Sequence, residues 1–291
     1  MPRWVAVVAA LFVTFLWSTS YILNKWAFAE GIQPFALAGL RYGIAAITLA
    51  LVQIRRPRVQ GTLKPWTYAG LGLAGYLVAQ GFQYVGQYYV TPTQSGMVLS
   101  FGNTLLVLTV GLLWLGERPG LRQGLGIAAS LLGVCLFYWP FTLEAGNLAG
   151  IGMLLLSGLG YATQLTANRA LLARKAADPL KLVLYPMAVG AAGMIALSLW
   201  LEPWPPFTWK LAAILLWLGS VNGALAFFLW TWSQKTLQAF ESSVLNNTML
   251  LQIVLLDILL LGRQVGAKEA AGLMLAGLGI LAVQTAARRG R

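Results

Sequence analysis

The chain contains no histidine, and one cysteine, Cys135, among its 291 residues. Lacking histidine, it lacks the commonest metal ligand and the usual proton carrier near neutral pH. A single thiol excludes an internal disulfide and any multi-thiolate metal site. Acidic residues are scarce, eight against twenty Lys and Arg. Charged residues make up 10% of the chain, where soluble domains carry about 25%. No G-x-x-x-x-G-K-[ST] loop occurs, and no soluble segment is long enough to hold one, so nucleotide hydrolysis is not the source of energy. The clustered carboxylates or histidines of a membrane-embedded enzyme are missing as well. We expect no enzyme activity, no cofactor and no metal.

Apolar residues are abundant, 58% of the chain, and the mean hydropathy is +0.72. Repeated apolar runs of about 20 residues mark an integral membrane protein. The net charge of +12 does not point to nucleic acid, because the basic residues sit at the ends of apolar runs and form no patch with interleaved aromatics. The first run, Trp4 to Trp17, has no convincing small-residue cleavage site after it and is expected to remain as a helix.

Ten apolar segments follow one another: 4–24, 33–54, 66–87, 92–115, 121–139, 149–172, 180–201, 209–232, 239–261 and 267–287. Sliding the chain by 146 lays Gly116, Gly120, Gly126 and Gly133 on Gly262, Gly266, Gly272 and Gly279. At a shift of 144, Asn24-Lys25 falls on Asn168-Arg169 and Trp17 on Tyr161. The reading is an all-α membrane protein of ten transmembrane helices in two five-helix repeats, 1–145 and 146–291. Five is odd, so the second repeat is inverted relative to the first. Inverted repeats are a recurring design of secondary transporters, with substrate near the midplane between halves. With the N-terminus in the cytoplasm, fifteen Lys and Arg fall inside and four outside, the remaining one being Arg41. This bias predicts a multi-pass cytoplasmic-membrane protein with both termini cytoplasmic.

Gly126, Ser130 and Gly133, and again Gly272, Ala276 and Gly279, share the i, i+4, i+7 spacing that lets helix backbones approach closely. They predict packing of helix 5 on helix 10, or alternatively a dimer face; the chain is expected to be a monomer or weak homodimer. In helix 3, Tyr76, Gln80, Gln83 and Gln87 form one stripe. Amides facing lipid would be left unsatisfied, so the stripe faces a wet cavity or other helices. Trp17 and Asn24 in helix 1, and Tyr161, Gln164 and Asn168 in helix 6, occupy matching faces. Ser100, Asn103, Asn222, Trp230, Asn246, Asn247 and Gln252 add polar positions on helices 4, 8 and 9. Individually, each could be interhelical hydrogen-bond glue. Trp4, Trp66, Trp139, Trp200, Trp204 and Trp209 lie near helix ends as interfacial anchors. The deeper Trp17, Tyr84, Tyr161, Tyr185 and Trp230 are candidates to stack on a substrate.

Arg41 lies about two turns inside helix 2, where an arginine at mid-span costs about 2.5–3.5 kcal/mol. Asp257, near the outer end of helix 9, is the one carboxylate clearly within a span. Both belong to the outer third of the membrane, and desolvated charges want partners, so a link between them, direct or through water, is expected. The alternative has Arg41 snorkelling outward or clamping helix-end carbonyls.

The segments "FLWSTSYI", "LAGLRYGIAAITLAL" and "LWLGERPGLRQGLGIAASLLGV" resemble the EamA-type members of the drug/metabolite transporter superfamily over nearly the whole chain. The counterpart "LLGRQVGAKEAAGLML" departs from that pattern, with Arg263 where second halves often keep an acidic residue. The resemblance implies an exporter of amino acids or other small metabolites, sometimes drugs. It also implies helices 1–4 and 6–9 around a central cavity, with 5 and 10 in support. On the residues themselves, Gln80, Gln83, Asn103 and Asn246 would bind amino and carboxylate groups. Trp17, Tyr84, Tyr161 and Trp230 would wall an apolar or aromatic side chain. Asn24 and Gln164 complete the candidate set. Transport is uncoupled or, if driven by protons, uses Asp257; a channel-like facilitator is the remaining alternative.

Overall fold

A computed structural model describes residues 2–55, 63–90, 92–140, 148–206, 208–261 and 264–286, without the side chains of residues 21, 92–94, 257, 260 and 261. The described chain winds into ten long helices. The first, α1 (Arg3–Ala29), runs five residues past its expected end, stopping only where Gly31 takes a positive φ of 87°. The second, α2 (Pro34–Ile54), starts on a proline, whose missing N–H costs nothing in a first turn. The third, α3, is continuous through Pro65–Gly72, Leu73–Gly81 and Phe82–Tyr89. Its neighbour α4 runs through Pro92–Met97, Val98–Gly102 and Asn103–Leu115, ending on Gly116 in the left-handed region. Then come α5 (Leu121–Tyr138), α6 (Leu148–Ala173) and α7 (Pro179–Leu201), the last opened by Asp178 accepting from the Leu180 and Lys181 amides. Helix α8 runs through Trp209–Gly219, Ser220–Leu225 and Ala226–Ser233; α9 comprises Ala239–Asn246 and Thr248–Leu261; α10 is Ala267–Ala286. Among the described residues, nine helices are long and apolar enough to span a bilayer. The exception is α3, whose glutamines and tyrosines lower its hydropathy.

The packing carries the repeat. Helix α2 packs on α7 and α5 on α10; the contact of α3 with α6 is matched by α8 with α1. In the same way α4 on α6 is matched by α9 on α1, and α2 on α8 by α7 on α3. Exchanging helix n with helix n+5 therefore reproduces the contact pattern, as an approximate two-fold axis requires. Most of these contacts join the two repeats, so the halves are interlaced.

The small-residue stripes meet each other, as internal packing predicts. A Cβ on Gly133 would lie 2.3 Å from the Ala276 amide nitrogen, and one on Gly279 would lie 2.4 Å from that of Ser130. Glycine is required there because the two backbones touch. The six end-placed tryptophans are all exposed, as anchors in an interface would be. Tyr185 departs from expectation. It is exposed and its ring lies 4.9 Å from Tyr68, at the end of the bundle where α3 begins, away from the bundle's centre.

Charged residues clamp both ends. At the end carrying the N-terminus, Arg3 forks onto Glu241 at 2.9 and 3.0 Å and also donates to Gln284. Arg169 pairs with Glu117 at 3.1 Å and donates to the Gln234 carbonyl, while Glu117 accepts from the Ala239 amide. At the other end, Glu30 accepts from Lys210 and Thr208, which hold its carboxyl below the ordinary carboxylate range. Glu202 there caps α2, accepting from the Phe35 and Ala36 amides at 2.8 Å, a favourable place for a carboxylate. Apart from the Arg169 bond to the Gln234 carbonyl, each of these contacts joins one repeat to the other.

Candidate functional site

Four helices lose regular α geometry part-way along their length. The backbone widens into π-helical turns at Leu73–Gly81 in α3, Val98–Gly102 in α4 and Ser220–Leu225 in α8, while α9 breaks at Asn247. These are two symmetry-related pairs, α3 with α8 and α4 with α9. Such turns concentrate at functional sites, and irregular backbone at membrane depth is tolerated where protein surrounds it. Carbonyls in these turns accept from side chains. Asn222 O accepts from the Trp17 indole at 3.1 Å and from Arg41 at 3.3 Å, and Ala79 O accepts from Ser157 at 2.6 Å.

Arg41 sits in the middle of this arrangement with 4% of its surface exposed. Its Nη1 donates to the Tyr84 hydroxyl at 2.6 Å, and its Nη2 to Ser20 at 3.4 Å and to the Asn222 carbonyl. The guanidinium also lies 5.5 Å from the Tyr42 ring centre. Helices α1, α2, α3 and α8 thus converge on one cation. Snorkelling is ruled out by its burial. The expected link to Asp257 falls on a side chain outside the described residues; among the described residues no carboxylate pairs with Arg41. Among the described residues its Nε has no partner.

Around it, Tyr84 also accepts from Asn24 at 3.4 Å, and Tyr42 donates to Gln80 at 2.7 Å. Asn222, fully buried, spends its amide N–H groups on Ser20, Thr19 and the Leu16 carbonyl, leaving Oδ1 without a partner. Beside the polar group runs an aromatic wall. Trp17 lies 5.1 Å from both Phe227 and Trp230, and Tyr42 lies 5.5 Å from both Phe227 and Tyr76. Trp230 turns its indole N–H toward the Tyr161 hydroxyl, but the two do not reach hydrogen-bond geometry, and both atoms stay buried and unpaired. Among the described residues the Oδ1 atoms of Asn24, Asn168 and Asn246 likewise have no partner. Buried polar groups are nearly always satisfied, so this many in one protein core calls for an explanation.

Of the residues expected to line a site, Trp17, Asn24, Gln80, Tyr84, Trp230 and Arg41 come together, with Tyr161 against Trp230. Gln164 is buried against Gly75 and faces the Tyr76 hydroxyl. Asn103 lies in the α4–α6 seam, its Oδ1 2.7 Å from where a Cβ on Gly158 would stand. Gln83 and Asn246 are half-buried, and no described contact joins them to the Arg41 group. Gln252 and Asn247 are glue: Gln252 bonds Thr14, Ser18 and the Leu11 carbonyl, and Asn247 bonds Thr104 and Ser130. The water-accessible hollow expected here is packed shut around Arg41, whose neighbours Ser20, Tyr42, Gln80 and Tyr84 are all buried. Tyr42 and Phe227 were not foreseen. The only cue was the aromatic directly after the arginine, since nothing in one sequence shows that Tyr42 bridges the cation to the wall.

The family model described as the EamA-like transporter family matches residues 4–139 and, a second time, 148–285. No curated protein matches. A solved crystal structure, described only as that of a protein, superposes with a TM-score of 0.82 at 19% identity, over 96% of this chain and 97% of the other. That likeness concerns the fold alone.

Proposed function

Since the chain belongs to the EamA-like transporter family, and is therefore a multi-pass carrier of small molecules, we propose that it exports amino acids with apolar or aromatic side chains by alternating access. The observation that carries this reading is Arg41, a desolvated cation between the repeats that pairs with no carboxylate among the described residues. A guanidinium is well matched to a carboxylate, with two parallel N–H···O bonds. The substrate carboxylate would fork onto Nη1 and Nη2, displacing Tyr84 from the first and Ser20 from the second. The unpaired Oδ1 atoms of Asn24 and Asn222 would accept from the ammonium. The side chain would then lie along Trp17, Phe227 and Trp230. A cationic drug would meet the buried guanidinium as a like charge, which argues against the drug-efflux alternative.

Rocking of interlaced halves would exchange the clamps. Opening toward the N-terminal end breaks Arg3–Glu241 and Glu117–Arg169; opening the other way breaks Glu30–Lys210 and the Glu202 cap. The charge bias of the loops supports an N-terminal end that faces the cytoplasm from the cell membrane. We favour uncoupled, facilitated export. If protons are coupled, Asp257 is the candidate carrier, and Asp257→Asn would abolish the pH dependence of transport.

The test is counterflow of labelled amino acids in proteoliposomes. Wild-type protein should exchange labelled against unlabelled substrate, and Arg41→Leu should be inserted and folded but inactive. Full exchange by Arg41→Leu refutes carboxylate binding there. Pore-like flux without exchange would instead support a channel, and export of cations in return for protons would support drug efflux.

A further inference from the structure

A cavity of about 580 Å³ opens where α5 and α10 diverge from their crossing, at the end of the bundle that carries the N-terminus. Its floor is Gly126 and Gly279, where the two backbones lie close together, and its walls are Leu125, Ala129, Leu278 and Ala282. Arg122 stands at its rim, one turn before Gly126, with Thr285 across from it. Leu125 and Leu278, like Leu281 beside them, are exposed, as residues facing acyl chains would be. The cavity therefore has an apolar cleft in the hydrocarbon zone and a guanidinium at the headgroup level.

We propose that this cleft is a binding site for an anionic phospholipid, with one acyl chain between α5 and α10 and the phosphate on Arg122. Charge decides the occupant. Arg122 is exposed, and no described carboxylate pairs with it. By sequence, Arg288, Arg289 and Arg291 follow directly after α10. Basic residues at a membrane rim select anionic headgroups by roughly 1 kcal/mol each. A second copy of the chain suits the cleft poorly. A two-fold contact places the same patch on both partners, so Arg122 would meet its own copy. A zwitterionic lipid could fill the cleft, but would leave the excess positive charge unanswered.

The site is tested on the purified full chain in detergent. Dioleoyl phosphatidylglycerol and dioleoyl phosphatidylcholine are titrated separately, with bound lipid counted by native mass spectrometry and the thermal midpoint recorded. Phosphatidylglycerol should bind one molecule more tightly than phosphatidylcholine and raise the midpoint further. Arg122→Gln should weaken phosphatidylglycerol roughly fivefold, as loss of one such contact implies, and Arg122→Lys should restore it. Ala282→Phe, which fills the cleft, should weaken both lipids. Inorganic phosphate alone should shift nothing. Equal binding of the two lipids, no effect of Arg122→Gln, an equal shift with phosphate, or a dimer that Ala282→Phe disrupts would each overturn the proposal.

Discussion

Arg41 of α2 donates to the Tyr84 hydroxyl of α3 across 2.6 Å, the shortest of its three described contacts. The bond satisfies a buried cation without neutralising it, because a phenol accepts a hydrogen bond but carries no charge. A structural arginine is normally matched with a carboxylate. Among the described residues Arg41 is held by neutral acceptors alone, which leave its charge available to an incoming anion.

Tyr84→Phe should therefore act differently with and without substrate. Removing the hydroxyl leaves a buried guanidinium N–H unmet, a loss of about 1–3 kcal/mol. A transported amino acid would supply the missing acceptor. Thermal midpoints should fall in the variant without ligand and recover, in large part, at saturating substrate. Equal destabilisation under both conditions would mean that the carboxylate does not reach Arg41.

The clamp at the N-terminal end gives a second prediction. Glu241 is almost wholly buried and holds Arg3 by two bonds; it also accepts from the Gln238 amide. Loss of Arg3 leaves that carboxylate unpaired, which in a fully buried pair costs about 3–5 kcal/mol. Arg3 is itself partly exposed, so the lower part of that range applies. Because the pair joins the repeats, this cost falls on the state closed at that end. Arg3→Gln should raise the rate at which a membrane-impermeant maleimide labels Ala10→Cys, now fully buried two turns along α1, in a Cys135→Ala background. An unchanged rate would show that the pair does not hold that end shut.

Ten helices were legible because bilayer thickness imposes their length and the loops between them carry Pro, Gly and charge. The α5–α10 contact was legible because close approach of two backbones leaves one signature, small residues at i, i+4, i+7. Tyr76 and Gln80 of the helix-3 stripe are buried for the same kind of reason, an amide having no partner in lipid, while Gln83 and Gln87 are half-buried. What could not be read is pairwise. The Asp257 that depth suggested for Arg41 has its side chain outside the described residues, and depth could not name the partners that are described, Tyr84, Ser20 and a main-chain carbonyl of α8. That carbonyl lies in the stretch where α8 loses its regular ladder, Ser220–Leu225. No residue in "SVNGAL" marks a π turn, so the acceptor had no sequence cue. Asn103, Asn247 and Gln252 show the limit from the other side: polarity placed them inside the bundle, but seam-filling and substrate binding ask for the same residue types.

Two glycines in α5 should respond in opposite ways to alanine. Gly133 faces α10, where an added Cβ would come within 2.3 Å of the Ala276 nitrogen and 2.6 Å of the Gly272 carbonyl oxygen. Both obstacles are main-chain atoms, so no rotamer change relieves them and the helices must separate. Overpacking costs about 1–3 kcal/mol, and here the displaced seam includes Gly126 against Gly279. Gly124 lies in the same helix, yet an added Cβ there meets nothing within 4 Å. Its replacement trades a flexible residue for a good helix former, a gain of about 0.5–1 kcal/mol. Gly133→Ala should lower the thermal midpoint and the yield of monodisperse protein, while Gly124→Ala should leave the yield unchanged and raise the midpoint slightly. Both positions lie in a helix that contributes nothing to the Arg41 group, so Gly124→Ala should keep wild-type counterflow. If Gly133→Ala proved as stable as Gly124→Ala, the two helices would not meet backbone to backbone, and the two-fold arrangement built on that seam would fall with it.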